Sequence, residues 1–412
     1  MDRILPVIFL GSVALACGSE PSSALNDASV AADSAASSDA TGGADAIANP
    51  DAEAGDAATI DSGVNVDRTP ISAPEREWTW VDFPESRCLN GSPTGLGVNL
   101  VQNATTAVIF LTGGNACFNQ LTCFITANTD GYGAAKFEQA KTQLVVSLFD
   151  RTHDQNRFKD ASFVFVPYCS GDVYSGTRED VMLEGSRYTY WGWNNMEQFL
   201  ARVVPTLTGV ESVLLTGVSA GGFGAFLNFD HVQRAFGPNV RVTLIDDSGP
   251  PMGSDFISPC LQAHFRTLWG FDEGPLAACG APCATNLSGA FIEDYAHYLL
   301  TEHPDRNMGL ISSDADQTIR GFWGFGNNMC RDLFGTFTVP TYDPAHFRAG
   351  LLDFRDRIAA GADHFKLYMP VSTRHGWLDT PPWTIEHYGV NLNDWIGRAV
   401  TGDPAWDNVP PP

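Results

Sequence analysis

A serine between two glycines follows directly on a short apolar run. Residues 217–221 read Gly-Val-Ser-Ala-Gly, after the apolar residues 213–215 and before a helix-compatible stretch. Glycines at 217 and 221 let the chain reverse without a clash, so that the oxygen of Ser219 projects above a sheet edge. Ordinary loop composition is the alternative. The strand-serine-helix context predicts a strained turn with Ser219 as a nucleophile.

Apolar, β-rich runs recur along the chain at residues 107–111, 163–166, 213–215, 242–245 and 365–369. Continuous rather than alternating apolar runs are typical of strands covered on both faces, as in a parallel sheet. Segments with helical periodicity lie between them, at 196–204 and 220–236. This alternation predicts an α/β-hydrolase-like, doubly wound and mostly parallel sheet. Residues 250 to about 342 interrupt it, and we expect a cysteine-containing insertion there that forms a lid or substrate wall.

The N-terminus has the features of an export signal. Apolar residues 4–16 precede Cys17 and are too few to span a bilayer, but they suit a signal peptide over residues 1–17. Residues 13–17 resemble the lipobox of bacterial lipoproteins, in which the cysteine is lipidated. An ordinary secretory signal is the alternative. We therefore expect a protein lipid-anchored at the bacterial cell envelope, at the outer membrane or surface, or else secreted.

Residues 18–73 are predicted to be a disordered acidic tether. Ala, Ser, Asp and Gly dominate up to residue 67, with no Lys or Arg, so little apolar surface is available to offset the entropy of ordering. Residues 74–412 are predicted to form one esterase domain. The formal net charge of −24 argues against nucleic acid as a partner, since its recognition requires a basic face. We expect a monomer that meets the membrane only through its lipid anchor.

If Cys17 is lipidated, an even number of cysteines remains, namely Cys88, Cys117, Cys123, Cys169, Cys260, Cys279, Cys283 and Cys330. An even number in an exported protein indicates a disulfide framework. The close pairs at 117/123 and 279/283 leave a metal site as the alternative, although no His stands at zinc-finger spacing. We expect disulfides, and neither a metal nor an organic cofactor.

An activated serine needs a base, and the base needs an orienting carboxylate; in α/β hydrolases these follow the order Ser, acid, His. His375 lies just beyond the run at 365–369 and is the candidate base. Asp314 and Asp316 lie between Ser219 and His375. Two carboxylates two residues apart point in different directions, so one of them is expected to face the imidazole. Helix capping is the competing interpretation for this pair, and the residues alone do not choose between them.

The developing oxyanion needs backbone donors. Gly113 and Gly114 follow the run at 107–111 and let an N–H turn towards the site, although a plain strand-to-helix turn has the same composition. The N–H of Ala220, at the start of a helix, is a second donor with the positive end of the helix behind it. Both donors would flank Ser219.

Four blocks of sequence carry a resemblance to a known family. They are residues 88–93, the glycine pair at 113–114 with Cys117 and Cys123, residues 166–176, and residues 215–222 followed by Asp-Ser-Gly at 247–249. In these blocks the chain resembles the pectin acetylesterases and the related Notum carboxylesterases. The resemblance implies a serine carboxylic-ester hydrolase, most simply one that removes O-acetyl groups from an extracellular polysaccharide such as pectin. It also admits a deacylase of lipidated protein or longer-chain esters, and a binding protein without catalysis is the alternative of another class.

The resemblance also implies residue roles. It aligns the family's Asp-x-x-Gln with residues 314–317, which favours Asp314 as the triad acid. It assigns the oxyanion hole to the backbone of Gly114, Asn115 and Ala220. It pairs Cys88 with Cys169 and Cys117 with Cys123, and leaves the pairing of the other four cysteines open.

Overall fold

The computed structural model describes residues 66–144, 147–284, 288–335 and 338–409. The predicted signal segment with Cys17 and most of the predicted tether lie outside the described residues. Within the described part, no helix combines the length and the apolar character that crossing a membrane requires.

The strands form one large sheet and two small hairpins. The strands are β1 Thr79–Phe83, β2 Thr94–Asn99, β3 Thr106–Leu111, β4 Ser162–Val166, β5 Arg178–Leu183, β6 Ser186–Tyr190, β7 Ser212–Val218, β8 Arg241–Asp247, β9 Met308–Ile311, β10 Phe365–Tyr368, β11 Glu386–His387 and β12 Val390–Asn391. The large sheet has eight strands in the order β1-β2-β4-β3-β7-β8-β9-β10. From β4 to β10 every neighbouring pair is parallel, whereas β1 and β2 are antiparallel. The predicted α/β-hydrolase-like, mostly parallel architecture is confirmed.

Helices cover the sheet. They are α1 Gln120–Ile125, α2 Ala134–Leu144, α3 Gly192–Thr206, α4 Ala220–Leu227, α5 Phe229–Phe236, α6 Pro259–Trp269, α7 Pro275–Cys279, α8 Ala281–Ala284, α9 Ile292–Glu302, α10 Gln317–Trp323, α11 Pro344–Asp353 and α12 Leu392–Thr401. The helix predicted over 220–236 is divided in two at Asn228. Its side-chain Nδ2 donates to the carbonyls of Gly224 and Tyr174, which ties the break to a neighbouring loop.

The core lies on both faces of the sheet because side chains alternate along each strand. In β3, Ala107, Ile109 and Leu111 join one apolar cluster, whereas Val108 and Phe110 join the other. The continuous apolar runs of the sequence are therefore the mark of strands buried on both sides.

The stretch 250–342 is not one insertion, and that expectation is corrected. β9 lies inside it and pairs with β8 and β10 in the sheet. The sequence pattern misses β9 because it has only four residues, one of them Gly309. A Cβ at Gly309 would stand 2.6 Å from Ile245 and 2.7 Å from Trp395, so packing demands the glycine that weakens the strand signal.

The folded part begins earlier than residue 74, where the sequence placed the boundary. Ile71 is buried in the core, and its N–H donates to Thr206 Oγ1 at 2.7 Å. Arg202 Nε also donates to the carbonyl of Thr69 at 3.1 Å. These contacts of Ile71 and Thr69 attach the segment before residue 74 to α3.

The eight cysteines form the disulfides Cys88–Cys169, Cys117–Cys123, Cys260–Cys330 and Cys279–Cys283. The first two are the pairs that the resemblance implies. The close pairs that had left a metal site open are thus disulfides. The last two disulfides belong to the helical segment between β8 and β9 and to the loop after α10.

Candidate active site

The predicted turn joins β7 to α4, with Ser219 at its apex. Ser219 has φ +61° and ψ −121°, a strained conformation for a residue with a side chain. Its N–H donates to the carbonyl of Asp247 at 2.8 Å, which holds the turn against the end of β8. A Cβ at Gly221 would collide with the carbonyl of Leu111, and one at Gly217 with that of Gly221. The two glycines are therefore required by close backbone approach.

His375 and Asp316 form a buried pair at the carboxyl edge of the sheet. His375 Nδ1–H donates to Asp316 Oδ2 at 2.8 Å, and Asp316 is completely buried. The other oxygen, Asp316 Oδ1, accepts from the N–H groups of Thr318 and Ile319 at 2.9 and 3.0 Å and so caps α10. One carboxylate therefore orients the imidazole and caps the helix, which combines the two interpretations left open for this pair.

Asp314 does not contact the imidazole, and the preference for it as the orienting acid is corrected. Its Oδ1 accepts from the N–H of Ser372 at 2.9 Å, and its Oδ2 lies 3.9 Å from Arg348 Nε. The two carboxylates point in different directions, as their spacing requires. Asp314 ties together the loops after β9 and β10, whereas Asp316 faces His375.

The surroundings of His375 act on its pKa in opposite senses. Desolvation is the largest single effect and lowers the pKa of the imidazole. The hydrogen bond and charge of Asp316, with smaller contributions from Asp247 and Asp379, outweigh it and raise the pKa of His375 above its usual 6.5. The imidazolium is thus stabilised in the folded protein.

The glycine loop after β3 lies beside Ser219. A Cβ at Gly113 would stand 3.1 Å from the Cβ of Ser219, so only a glycine fits there. Asn115 has φ +65°, and its Nδ2 donates to the carbonyl of Ile125 at 2.8 Å, which ties the loop to α1. Within the described ranges, the backbone N–H groups of residues 113–116 donate no hydrogen bond. Ala220 is the first residue of α4, where N–H groups have no intrahelical acceptor.

Two cavities meet at Ser219 and Asn115. The first is lined by seventeen residues, and apart from Ser219 and Asn115 its walls are apolar. They include Phe223, Phe226, Phe265, Trp269, Ile319 and Trp323. We call it the apolar cavity. Sequence reasoning did not identify these residues; the concentration of aromatic residues after residue 250 was the available signal.

The second cavity is wider and more polar; we call it the mixed cavity. Its walls include His375, Gly113, Gly114, Ser147 and Asp379. Ser219 and His375 thus face the same space, although no hydrogen bond joins their side chains within the described residues. In enzymes without substrate such bonds are often long and tighten only when substrate binds.

The chain is similar to known carboxylesterases. Residues 77–271 match the family model of the pectinacetylesterases. The chain is 29% identical to the palmitoleoyl-protein carboxylesterase NOTUM of Homo sapiens over 168 residues, 39% of this chain and 34% of that protein. For NOTUM of Schmidtea mediterranea the identity is 33% over 167 residues, 37% of this chain and 30% of that protein.

This chain is similar to the pectinacetylesterases and to Notum. The resemblance seen in the sequence is thereby confirmed. The matched part spans about a third of the length of the Notum proteins. The structure of the Wnt deacylase Notum from Drosophila shares the fold, with a TM-score of 0.54, 18% identity, and coverage of 79% of this chain and 94% of that one.

The family match covers only part of the site. The matched residues 77–271 include Ser219 and the glycine loop, whereas Asp316 and His375 lie beyond them. The pairing of these two residues therefore rests on the hydrogen bond between them and on their position at the edge of the sheet.

Proposed function

We propose that the protein is a serine carboxylic-ester hydrolase that removes acyl groups longer than acetyl. The observation that carries this proposal is the apolar cavity that ends on Ser219 and Asn115, since all its other lining residues are apolar. Acyl transfer requires a nucleophile, a base with an orienting acid, and donors for the oxyanion. The site offers a serine at a strained turn, a histidine paired with a buried carboxylate, and free backbone N–H groups.

In the acylation step, Ser219 Oγ attacks the ester carbonyl and His375 Nε2 takes the hydroxyl proton. Asp316 keeps the other imidazole proton on Nδ1 and stabilises the imidazolium. Backbone N–H groups of Gly114 or Asn115 and of Ala220 donate to the oxyanion of the tetrahedral intermediate. Such donors contribute about 3–4 kcal/mol each to the stability of the transition state.

The intermediate then collapses. The carbon–oxygen bond to the alcohol breaks, and the imidazolium gives its proton to the departing oxygen, which leaves an acyl group on Ser219. A water molecule attacks this acyl-enzyme while His375 takes one of its protons. The carboxylic acid is released and Ser219 regains its proton. Side chains, backbone and water complete the cycle.

The apolar walls, which come mainly from four helices (α4, α6, α9 and α10), support an acyl chain longer than acetyl. Each methylene buried against apolar walls contributes about 0.8 kcal/mol to binding, whereas an acetyl group leaves most of such a space unused. The names of two similar proteins, palmitoleoyl-protein carboxylesterase and Wnt deacylase, also favour an acyl group longer than acetyl. A lipidated protein or a longer-chain ester is therefore the favoured substrate class.

The second candidate is removal of acetyl groups from an extracellular polysaccharide such as pectin. The family match over residues 77–271 supports it, and so does the mixed cavity, whose Ser147 and Asp379 can hydrogen-bond a hydroxylated alcohol. The dependence of activity on acyl length distinguishes the two candidates, because an acetyl group is too short to make use of the apolar cavity.

The test is hydrolysis of 4-nitrophenyl esters from acetate to long-chain acids, with release of acetate from acetylated pectin beside it. We expect kcat/KM to rise with chain length. Ser219→Ala should lower hydrolysis of every ester on the order of 10⁴-fold or more, because the nucleophile is lost. Ser186→Ala, at an exposed serine in the β5–β6 hairpin, is the matched control and should retain full activity.

Three results would contradict this proposal. A preference for acetate together with acetate release from pectin would favour the second candidate. A Ser219→Ala variant with near-native turnover would remove the nucleophile assignment. A wild-type protein that hydrolyses no ester would indicate a binding protein that keeps the fold.

We also propose that the protein works outside the cytoplasm and is attached to the membrane through lipidated Cys17. The four disulfides support an oxidising compartment. Cys17→Ser should move the protein from the membrane fraction to the soluble fraction of expressing cells. Retention of the variant in the membrane would contradict lipid attachment at this residue.

A further inference from the structure

Asp247 stands between the nucleophile and the base. It is the last residue of β8, the strand between β7, which leads into Ser219, and β9, which precedes Asp316. Asp247 is completely buried, and its backbone carbonyl accepts from the N–H of Ser219 at 2.8 Å. The main chain of Asp247 thus holds the turn that carries Ser219.

The side chain of Asp247 holds the segment that follows His375. Asp247 Oδ2 accepts from the backbone N–H groups of Trp377 and Leu378, each at 2.7 Å. Asp247 Oδ1 accepts from Ser248 Oγ at 2.8 Å, and Ser248 Oγ accepts from the N–H of Gly376 at 3.1 Å. Three successive N–H groups after His375 are therefore bound by two consecutive residues at the end of β8.

We propose that Asp247, assisted by Ser248, is the positioning residue that fixes the His375 segment against the Ser219 turn. The inference rests on the proposed function, because it concerns the alignment of base and nucleophile. Asp247 itself reaches the reacting atoms only through the two segments that it joins.

The hydrogen bond that His375 Nδ1–H donates to Asp316 cannot align the imidazole alone. A single hydrogen bond at Nδ1 leaves the imidazole ring free to rotate about that contact. Such a rotation would change the distance from Nε2 to the hydroxyl of Ser219. Anchoring of the backbone after His375 removes this freedom. Gly376 shows how closely the segments pack: its φ is +76°, and a Cβ there would stand 2.9 Å from Val218 Cγ1, next to Ser219.

The charge of Asp247 acts on the pKa of His375, which can be measured. A residue with a purely structural role would leave that pKa unchanged. The carboxylates acting on His375 are those of Asp316, Asp247 and Asp379, and Arg374 is paired with Asp379 at 3.2 Å. Burial raises the pKa of Asp247 to about 6, although its hydrogen bonds oppose that rise. Above that pH it is a carboxylate that favours the imidazolium.

Asp246 offers a matched control. It is the neighbouring residue and equally buried, but its Oδ1 accepts from the N–H of Gly249 rather than from the His375 segment. Burial, with the charge of Asp247, raises the pKa of Asp246 well above its usual range. Asp246→Asn is therefore a polar substitution at the neighbouring buried position that leaves the hydrogen bonds of Asp247 to the His375 segment in place.

The experiment compares Asp247→Ala, Asp247→Asn and Asp246→Asn in the full chain with the preferred 4-nitrophenyl ester. Asp247→Ala should lower kcat on the order of 10²-fold with KM changed less than about twofold, as expected for a misplaced base. Asp247→Asn should restore much of kcat, since its amide oxygen still accepts from Trp377 and Leu378. Asp246→Asn should stay within about twofold of wild type.

The pH profile gives the second readout. Loss of the charge in Asp247→Asn should move the acidic limb of kcat/KM to lower pH, and the NMR titration of His375 should move in the same direction. If Asp247→Ala does not fold, Ser248→Ala, which removes the acceptor for Gly376, takes its place with a smaller loss of kcat. Thermal unfolding of each variant checks the fold.

Retention of native kcat by folded Asp247→Ala would overturn the inference while the proposed function stands. A rise in KM alone, or an unmoved His375 titration in Asp247→Asn, would also overturn it. Equal losses in Asp246→Asn and Asp247→Asn would assign the effect to general packing. A wild-type protein that hydrolyses no ester would overturn the proposed function, and this inference with it.

Discussion

The two cavities that meet at Ser219 differ in composition and in origin. The apolar cavity is walled by α4 and by helices from the region after β8, through residues such as Phe223, Trp269 and Trp323. The mixed cavity is walled by loops at the edge of the sheet, which bring Gly114 and His375 to the other side of Ser219. The helices thus form a space for an apolar group, whereas the loops carry the polar groups.

This difference suggests a division of tasks between the two sides. In the proposed function, an acyl chain in the apolar cavity is held by burial alone, so that its length would set the affinity. In the same proposal, the alcohol would leave on the side of His375, where the imidazolium can protonate it. Substitutions on the loop side should therefore change the rate for all esters alike, whereas substitutions on the helical side should change the preference among acyl chains.

The largest effect is expected from the acid on the loop side. Asp316→Asn should lower kcat about 10⁴-fold, since an amide no longer holds the imidazole in its working tautomer. Asp314→Asn, two residues away, should stay within about tenfold of wild type, because Asp314 binds Ser372 rather than His375. The measurement is kcat/KM on acetyl and long-chain esters. A larger loss from Asp314→Asn would assign the role of orienting acid to Asp314. A loss confined to one acyl chain length would contradict the division of tasks between the two cavities.

A smaller, selective effect is expected on the helical side. Ala116 lines the apolar cavity, and Ala116→Leu should lower kcat/KM for long-chain esters about 10–100-fold relative to acetyl esters, in line with the cost of a few misplaced methylenes. Ser147→Leu, in the wall of the mixed cavity, is the control and should leave chain-length preference unchanged. An equal loss for all chain lengths in Ala116→Leu would show that the cavity does not hold the acyl chain.

The pH dependence should sharpen the comparison further. His375 must be neutral to accept the proton of Ser219, and Asp316 raises the pKa of His375 above 6.5 despite desolvation. Activity should therefore rise with pH, with a midpoint above pH 6.5 that is the same for short and long acyl chains. A rate profile of kcat/KM against pH on two esters checks this. A midpoint below 6.5 would mean that desolvation prevails or that another group titrates.

The smallest effects on activity are expected from the disulfides, whose contribution is to stability. Cys88 and Cys169 are 81 residues apart, so their bond should contribute about 4 kcal/mol to the free energy of unfolding. Cys117 and Cys123 are 6 apart, and about 2 kcal/mol is expected for that pair. Denaturant unfolding of the paired Cys→Ser variants measures both values. A larger loss from the short loop would contradict the chain-entropy argument, and abolished turnover in a folded Cys88→Ser/Cys169→Ser variant would contradict a structural role.

Local patterns predicted several features well because their causes are local. The turn at Ser219 needs glycines on both sides for close backbone approach, and these stand next to it in the sequence. The strands β3, β4, β7, β8 and β10 are continuous apolar runs because both faces of the sheet are covered. β9 escaped detection because a tertiary contact with Trp395 requires Gly309 in its centre.

The amino-acid sequence by itself determined the type of sheet, the serine at its edge and the group of residues from which the base and its acid are drawn. Only the tertiary structure decided that Asp316 rather than Asp314 meets His375, and that Asp247 binds the segment after it. The physical reason is that these contacts join loops after β8, β9 and β10. Their relative positions depend on sheet order and loop packing, which no local periodicity records.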